Sequence, residues 1–264
     1  MRSCFVALLL ITTMSRAQEW QADLMIGGSN YSGDLSQKGF IIKTIRPVVN
    51  VNIKYELYYV VLRGGLSYTK LNGSDGNNKD IYLSNRRLDF TTDLFELNLG
   101  VELNLFEPDI FFAYPYIFAG VGLYHYNPYS KDKDGVKTFL HPLHTEGQGF
   151  PEYPKRKNYS LTQFCIPMGA GWKFKINPKW DVAYEFGYRL LFTDYLDDVS
   201  RTYPERLLLQ TRIGPKAVEM SYKATPIPGT NYYPSAGDQR GNPKIKDAYY
   251  FSGLKLIYHF GKRD

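Results

Sequence analysis

Three aspartates lie close together in the stretch TDYLDDVS, at Asp194, Asp197 and Asp198. Clustered carboxylates can bind a metal ion or act as general acid and base. His141 and His144, in the segment HPLH, have a spacing that is compatible with metal binding. A proline separates them, and the segment has no cysteine or patterned carboxylate, so the sequence predicts no metal and no cofactor.

A structural role explains the same aspartates without any chemistry. Asp side chains accept hydrogen bonds from backbone amides and so begin turns. We therefore predict that Asp194, Tyr195, Asp197 and Asp198 form a latch that orders the long loop after them, in which 204–210 and 215–222 are predicted helical turns. The competing hypothesis is a membrane-embedded hydrolase that pairs a loop aspartate with a loop histidine.

The elements that position this cluster are strands, because apolar residues alternate with polar ones. In the segment 93–106 one face carries Phe95, Leu97, Leu99, Val101, Leu103 and Leu105. The opposite face carries Glu96, Asn98, Glu102 and Asn104. The segments 180–192 and 248–260 repeat the pattern.

Eight such strands are predicted, near 19–28, 47–57, 59–69, 93–106, 114–126, 160–176, 179–192 and 248–260. Short links alternate with long ones, so all long loops leave one end. This predicts an all-β fold, an eight-stranded antiparallel transmembrane β-barrel of the outer-membrane type with long extracellular loops. A sheet in lipid must close to satisfy its backbone. A soluble lipocalin-like barrel, with its apolar face inward, is the alternative.

In an eight-stranded membrane barrel the polar face points into a lumen that side chains just fill. We predict inward charges that pair with one another, at Asp23, Lys54, Glu56, Arg63, Glu96, Glu102, Lys173, Glu185, Arg189 and Lys255. This argues against a diffusion porin. The predicted aromatic girdle comprises Trp20, Tyr55, Tyr68, Phe106, Trp172, Trp180, Phe192, Tyr250 and Phe260.

The N-terminus predicts export. Residues 1–17 combine an early arginine, an apolar core and a small-residue cleavage site, which indicates a signal peptide. The core is too short to span a bilayer, which takes about 20 residues. The barrel domain is then 18–264, with Cys165 as its one cysteine and no intramolecular disulfide. The formal net charge of +6 does not indicate a nucleic-acid partner for such a barrel.

Four stretches together resemble a known family: GGSNYSGDL (27–35), TEGQGFPEYPKRKNYSLTQFCIPMGAGWKF (145–174), GYRLLFTDYLDDVSRTYP (187–204) and QRGNPKIKDAYYFSGLKLIYHF (239–260). They are similar to blocks of PorG-like outer-membrane barrels of the type IX secretion system of Bacteroidetes. The resemblance implies a non-enzymatic protein in outer-membrane lipid that docks the periplasmic ring of PorK and PorN. A generic small barrel for surface binding or envelope integrity is the further hypothesis.

Overall fold

A computed structural model describes residues 18–36, 44–77, 81–108, 110–224 and 233–261. The predicted signal peptide, 1–17, lies outside the described residues. Within these ranges the strands are β1 (Gln18–Ser32), β2 (Arg46–Leu57), β3 (Val60–Ser74), β4 (Asp89–Asn104), β5 (Ala113–Tyr126), β6 (Tyr129–Lys131), β7 (Lys137–Phe139), β8 (Thr162–Asn177), β9 (Trp180–Leu191) and β10 (Ala248–His259). The α-helices are α1 (Ile81–Arg86), α2 (Arg206–Arg212) and α3 (Pro215–Ser221).

The eight long strands form a closed antiparallel barrel. Their order is β3-β2-β1-β10-β9-β8-β5-β4, and pairing of β3 with β4 completes the ring. Closure leaves none of the eight with an unpaired edge. The predicted fold is therefore confirmed. The short β6–β7 hairpin, which the sequence did not predict, attaches to β4 by the pair Thr91 and Tyr129.

The barrel exposes its apolar face and buries its polar face. On β4, Leu97 and Leu99 are 51% and 62% exposed, whereas Glu102 is fully buried. The apolar positions of this region run from 95 to 105. At about 3.4 Å per residue and a tilt of about 40°, they cover roughly 25 Å of barrel height, the thickness of a lipid-facing band. The lipocalin-like alternative, which requires the opposite orientation, is wrong.

Glycines allow close approaches within the wall. A Cβ atom on Gly171 would lie 2.4 Å from the ring of Tyr116, and one on Gly120 would lie 2.2 Å from the carbonyl oxygen of Leu99. Neither position could accept alanine without movement of a bulky ring or of the backbone. Both glycines thus serve packing within strands.

The connections divide the barrel into two ends, which we call the short-turn end and the long-loop end. At the short-turn end, Asn177 Oδ1 accepts hydrogen bonds from the amides of Lys179 and Trp180 at 2.9 and 3.0 Å, which closes the β8–β9 turn. At the other end, four loops follow β1, β3, β5 and β9. Their described residues are 33–36 and 44–45, 75–77 and 81–88, 127–161, and 192–224 and 233–247. The helices belong to these loops, and among the described residues none is long and apolar enough to cross a bilayer.

The predicted girdle is exposed except at two positions. Trp20, Trp172, Phe192 and the other exposed members are 36–60% accessible, and Tyr55 is half-buried. The prediction is wrong for Tyr250, which is only 6% exposed. Its β1 partner Asn30 receives a 2.9 Å hydrogen bond from Thr44. The end of the first loop therefore lies over the outer face beside Tyr250.

Candidate functional site

The predicted inward charges all lie inside the barrel, and the most exposed of them, Arg63, is only 6% accessible. Glu102 on β4 is the centre of one group. It accepts a hydrogen bond from Lys54 at 2.9 Å and forms an ion pair with Lys173. Arg63 approaches it at 3.7 Å. One carboxylate thus connects β2, β3, β4 and β8.

Glu185 on β9 is the centre of the neighbouring group. Arg63 donates to both of its oxygens, at 2.9 and 3.2 Å, and Lys255 donates at 2.6 Å. Asp23 forms an ion pair with Lys54 at 2.9 Å and lies 3.7 Å from Lys255. Lys54, Arg63 and Lys255 each contact two carboxylates. The two groups therefore form one network across the lumen, and the burial cost of their charges is offset.

A separate ion pair, between Arg189 and Glu96, lies in the lumen nearer the long-loop end. Arg189 donates to both oxygens of Glu96 at 3.1 and 3.3 Å, and Tyr249 donates to Glu96 at 2.7 Å. The guanidinium lies 3.8 Å from the ring centroid of Phe251. At the opposite end of the lumen, Gln21 donates to Glu56. A water-filled channel would leave its lining accessible, so these buried charges describe a filled lumen.

The long loops close the barrel mouth, and we call their described residues 127–161, 192–224 and 233–247 together the loop cap. Its apolar underside packs with the strand ends in one buried cluster, which includes Leu71, Phe90, Leu94, Leu140, Leu196, Val199 and Met220. A second cluster joins α2 and α3 to the third loop through Phe150, Leu209 and Ala217. The predicted helical turns are confirmed, although α2 begins at Arg206 rather than at 204.

A buried ion pair connects the two loops of the cap. Arg240 donates to Glu146 at 2.9 Å and to the carbonyl oxygen of Asp198 at 2.6 Å. Glu146 also accepts the amides of Ser200 and Arg201 at 2.9 to 3.1 Å. Tyr195 donates to Glu146 at 2.9 Å. Glu146 therefore fixes the start of the fourth loop against the third.

Asp197 connects the fourth loop to the first. It accepts the hydroxyl of Tyr31 at 2.6 Å and the amides of Leu35 and Val199 at 3.2 and 2.9 Å. Tyr31 also donates to Asp247 at 3.0 Å, so two carboxylates share one hydroxyl. Burial raises the pKa of both aspartates well above the usual range. Repulsion from Asp247 adds to the shift of Asp197, and repulsion from Asp194 adds to that of Asp247.

Asp198 connects the fourth loop to the third. Its oxygens accept the hydroxyls of Thr145 at 2.5 Å and Tyr159 at 2.7 Å. Its φ of +67° is in the left-handed region, which aspartate tolerates better than most residues. The ring of Tyr195 stacks on that of Tyr159, with centroids 4.9 Å apart and planes at 8°. Burial raises the pKa of Asp198 to about 6, against the opposing effect of Arg240.

Asp194 differs from the predicted latch role. It is 3% exposed, yet among the described residues neither carboxylate oxygen has a hydrogen-bond partner by distance and angle. Burial raises its pKa to about 7, Asp34 and Glu146 add repulsion, and the nearby Ser200 hydroxyl acts in the opposite direction. The carboxyl group therefore gains its proton near neutral pH, well above the usual range for aspartate, and it makes no hydrogen bond that contributes to the latch.

The loop histidines have other partners than these aspartates. A ring nitrogen of His141 lies 2.9 Å from the carbonyl oxygen of Tyr159, and one of His144 lies 3.1 Å from Asn158 Oδ1. The carboxylates of Asp197 and Asp198 are occupied by amide and hydroxyl donors. Within the described ranges, no group of three or more His, Cys, Asp or Glu residues is arranged to hold a metal ion.

Sequence reasoning missed the residues that complete the latch: Tyr31, Glu146, Arg240 and Asp247. Glu146 and Arg240 are 94 positions apart, so no local periodicity connects them. Both occur in stretches that carried the family resemblance, TEGQG and RGNPK. Arg156, in the basic run 155–157, also connects the loops, because it donates to the carbonyl oxygens of Glu146 and Thr202.

A family described as a domain of unknown function, DUF6089, matches residues 2–214. Among curated protein sequences, none matches the chain.

Solved structures with a similar barrel include three outer-membrane proteins. Ail of Yersinia pestis, in complex with the heparin analogue sucrose octasulfate, is 11% identical with a TM-score of 0.43, covering 92% of this chain and 99% of Ail. Neisserial surface protein A is 9% identical with a TM-score of 0.45, covering 91% and 97%. The N-terminal barrel of Pseudomonas aeruginosa OprF is 10% identical with a TM-score of 0.39, covering 92% and 100%.

Proposed function

This chain belongs to the DUF6089 family, and we propose that it is an integral protein of the bacterial outer membrane without enzymatic activity. The exposed apolar band supports the location, because only a lipid environment makes such a face favourable around a whole barrel. The filled lumen and the loop cap indicate that the protein acts through its surfaces and not as a pore. The occupied latch carboxylates support a non-catalytic role.

We further propose that the protein is a component of the type IX secretion machinery, related to PorG, and that its short-turn end docks a periplasmic ring of PorK and PorN. The four sequence stretches described above support this assignment. The main structural support is the β4–β5 turn. Ile110 and Phe112 lie there, beyond the last paired residues of the two strands, and their side chains are 68% and 69% exposed. Such apolar side chains are suited to burial against a partner.

Deletion of the gene tests the secretion role. We expect type IX cargo to accumulate inside the cell, with restoration by the wild-type gene. Normal export by a clean deletion strain would contradict the proposal.

Site-specific photo-crosslinking tests the docking surface. A crosslinking residue in place of Lys179, which is exposed in the β8–β9 turn, should capture the ring proteins. The matched control is Val136 in the third loop, which is 58% exposed at the opposite end. Equal capture at both positions, or capture at neither, would contradict docking through the short-turn end.

The packed loop cap supports a second candidate, a small barrel for surface binding or envelope integrity. The cap has its own buried core and a buried ion pair, so it presents a defined outer surface. In that case a deletion strain would export cargo normally but show an envelope defect, and the secretion assay separates the two candidates.

A further inference from the structure

The outer face of the barrel carries a groove of about 420 Å³ close to the long-loop end. Its volume is in the range of small-ligand sites, about 300–1,000 Å³. Strand register arranges the outward lining residues in two rows. The row nearer the loops is Val49, Tyr68, Phe95, His125 and Thr162, and the row below is Val51, Leu66, Leu97 and Leu123.

The lower row is wholly apolar and lies on the lipid-facing band. The upper row ends in a polar pair, because His125 Nδ1 and Thr162 Oγ1 are 2.9 Å apart. The groove is therefore lined by aliphatic and aromatic side chains towards the centre of the band and by polar atoms towards its edge. A lipid has the same order of polarity along its length.

Charged side chains begin directly above the groove. Lys70 and Asp93 are paired in the register, with Nζ and Oδ1 3.4 Å apart and both side chains about two-fifths exposed. Tyr68 in the groove donates to Asp93 at 2.8 Å. Arg46 donates to Asn72, the next outward residue on β3, at 2.8 Å. This change from apolar to charged residues marks the boundary between bilayer and water.

The β6–β7 hairpin adds cations at the same level. Tyr129 on the hairpin pairs with Thr91, two residues from Asp93 on β4. The Nζ atom of Lys137 lies 3.9 Å from the centroid of the Tyr129 ring and 4.8 Å from that of Phe139. These rings hold the ammonium group at the surface. The rim thus combines Arg46, Lys70 and Lys137 with Asp93, whereas Asp89 beside the hairpin is paired with Lys223.

We propose that this groove binds a phosphate-bearing lipid of the outer leaflet. One acyl chain lies against the apolar side chains of the two rows, and the phosphate contacts Arg46, Lys70 and Lys137. Together with Asp93, these three side chains have a positive net charge. The ammonium groups attract anionic headgroups at a membrane surface. This inference rests on the proposed outer-membrane location but not on the proposed role in secretion.

Lipid titration of the purified barrel tests the proposal. The protein is reconstituted in phosphatidylcholine nanodiscs that contain either a phosphorylated lipid A or the same lipid after removal of its phosphates. We expect preferential binding of the phosphorylated form, and no displacement by inorganic phosphate. Removal of a cation should weaken binding about fivefold for each residue, so the triple variant R46Q/K70Q/K137Q should bind on the order of 100-fold more weakly.

The matched control is K155Q/K157Q/K179Q, which removes the same charge from exposed positions elsewhere. A second variant, Leu97→Trp, fills the groove and should weaken binding of the phosphorylated lipid without any change of charge. Heat-dependent gel mobility verifies that each variant is folded. Equal affinity for the two lipids, or equal loss in the control, would overturn the inference. Failure of the folded wild type to enter nanodiscs would instead overturn the proposed location.

Discussion

At the scale of single residues, the aspartates of TDYLDDVS differ in what they contact. Asp197 accepts three donors from Tyr31, Leu35 and Val199, and Asp198 accepts two hydroxyls. Asp194 has no hydrogen-bond partner among the described residues. Three aspartates of one short stretch therefore contribute differently to stability, and substitution of each one can distinguish these contributions.

The first prediction compares Asp197→Ala with Asp194→Asn. Loss of the Asp197 carboxylate leaves the amides of Leu35 and Val199 buried without an acceptor, which costs about 1–3 kcal/mol for each unsatisfied group. Asp194→Asn keeps the shape and removes a group that is costly to ionise, so stability should be unchanged or higher near neutral pH. The measurement is the midpoint of heat-induced gel mobility change. Equal destabilisation by both substitutions would contradict this account of the latch.

The second prediction concerns pH. Burial raises the pKa of Asp194 to about 7 and those of Asp198 and Asp34 to about 6. An unfolded aspartate titrates near pH 3.9. Between these pH values the folded protein binds more protons than the unfolded protein. The contribution of these aspartates to the free energy of unfolding is therefore fully present below about pH 4, and it is lost as the pH rises through about 6 to 7. His144 has the opposite effect. Burial lowers its pKa, so its contribution to stability is lost as the pH falls below about 6.5.

Protease resistance of the long loops measures this effect. The loops should be cut more slowly at about pH 5 than at about pH 8, after correction for the intrinsic rate of the protease on an unfolded substrate. In the variant Asp194→Asn the difference should be smaller, because a carboxyl group whose pKa is raised to about 7 no longer titrates. An unchanged difference in this variant would show that Asp194 does not contribute.

At the scale of elements, the lumen network connects strands that are distant in the sequence. The third prediction is that Glu102→Gln destabilises the barrel by about 3–5 kcal/mol, because Lys54 and Lys173 remain buried near a neutral partner. The control is Glu152→Gln, whose ion pair with Arg212 is about two-fifths exposed, and which should cost less than about 1 kcal/mol. Urea-dependent unfolding in lipid vesicles gives both values. A similar small effect in both variants would show that the lumen is hydrated.

The strands could be predicted because each has one buried and one exposed face, which alternation reports directly. The predicted strand ends were less accurate where the outer face becomes polar. The predicted strand 59–69 continues to Ser74, and the predicted strand 93–106 begins already at Asp89, although hydropathy no longer alternates in these parts. Backbone pairing continues in these parts without an apolar signal. The β6–β7 hairpin is too short for a period to be detected, and α1 at 81–86 has the same limitation.

The latch was predictable only as a turn-forming segment. The side-chain types at 194–198 indicated local hydrogen bonding, but the partners Glu146, Arg240 and Tyr31 come from three other parts of the chain. Contacts of this kind depend on how the loops fold over the barrel mouth, and one sequence contains no spacing rule for them. The burial of Tyr250 has the same cause, since it depends on where the first loop lies.

At the scale of the whole molecule, two separate structures close the barrel. The charged network fills the lumen, and the apolar underside of the loop cap fills the mouth. Disruption of one should leave the other in place, because the Glu102 and Glu185 groups do not contact the Arg240 and Glu146 pair. The surfaces that remain for interaction are the short-turn end, the outer wall and the outside of the cap.

The fourth prediction follows from this double closure. Wild-type protein inserted into planar lipid bilayers should show no steady ion conductance, with a general diffusion porin as the positive control. Arg240→Ala releases Glu146 and should loosen the cap, which limited proteolysis would detect as faster cutting in the third and fourth loops. Conductance should still remain low, because the lumen side chains below the cap stay paired. Steady conductance from the wild type would contradict the filled lumen, and conductance only after Arg240→Ala would show that the cap alone closes the barrel.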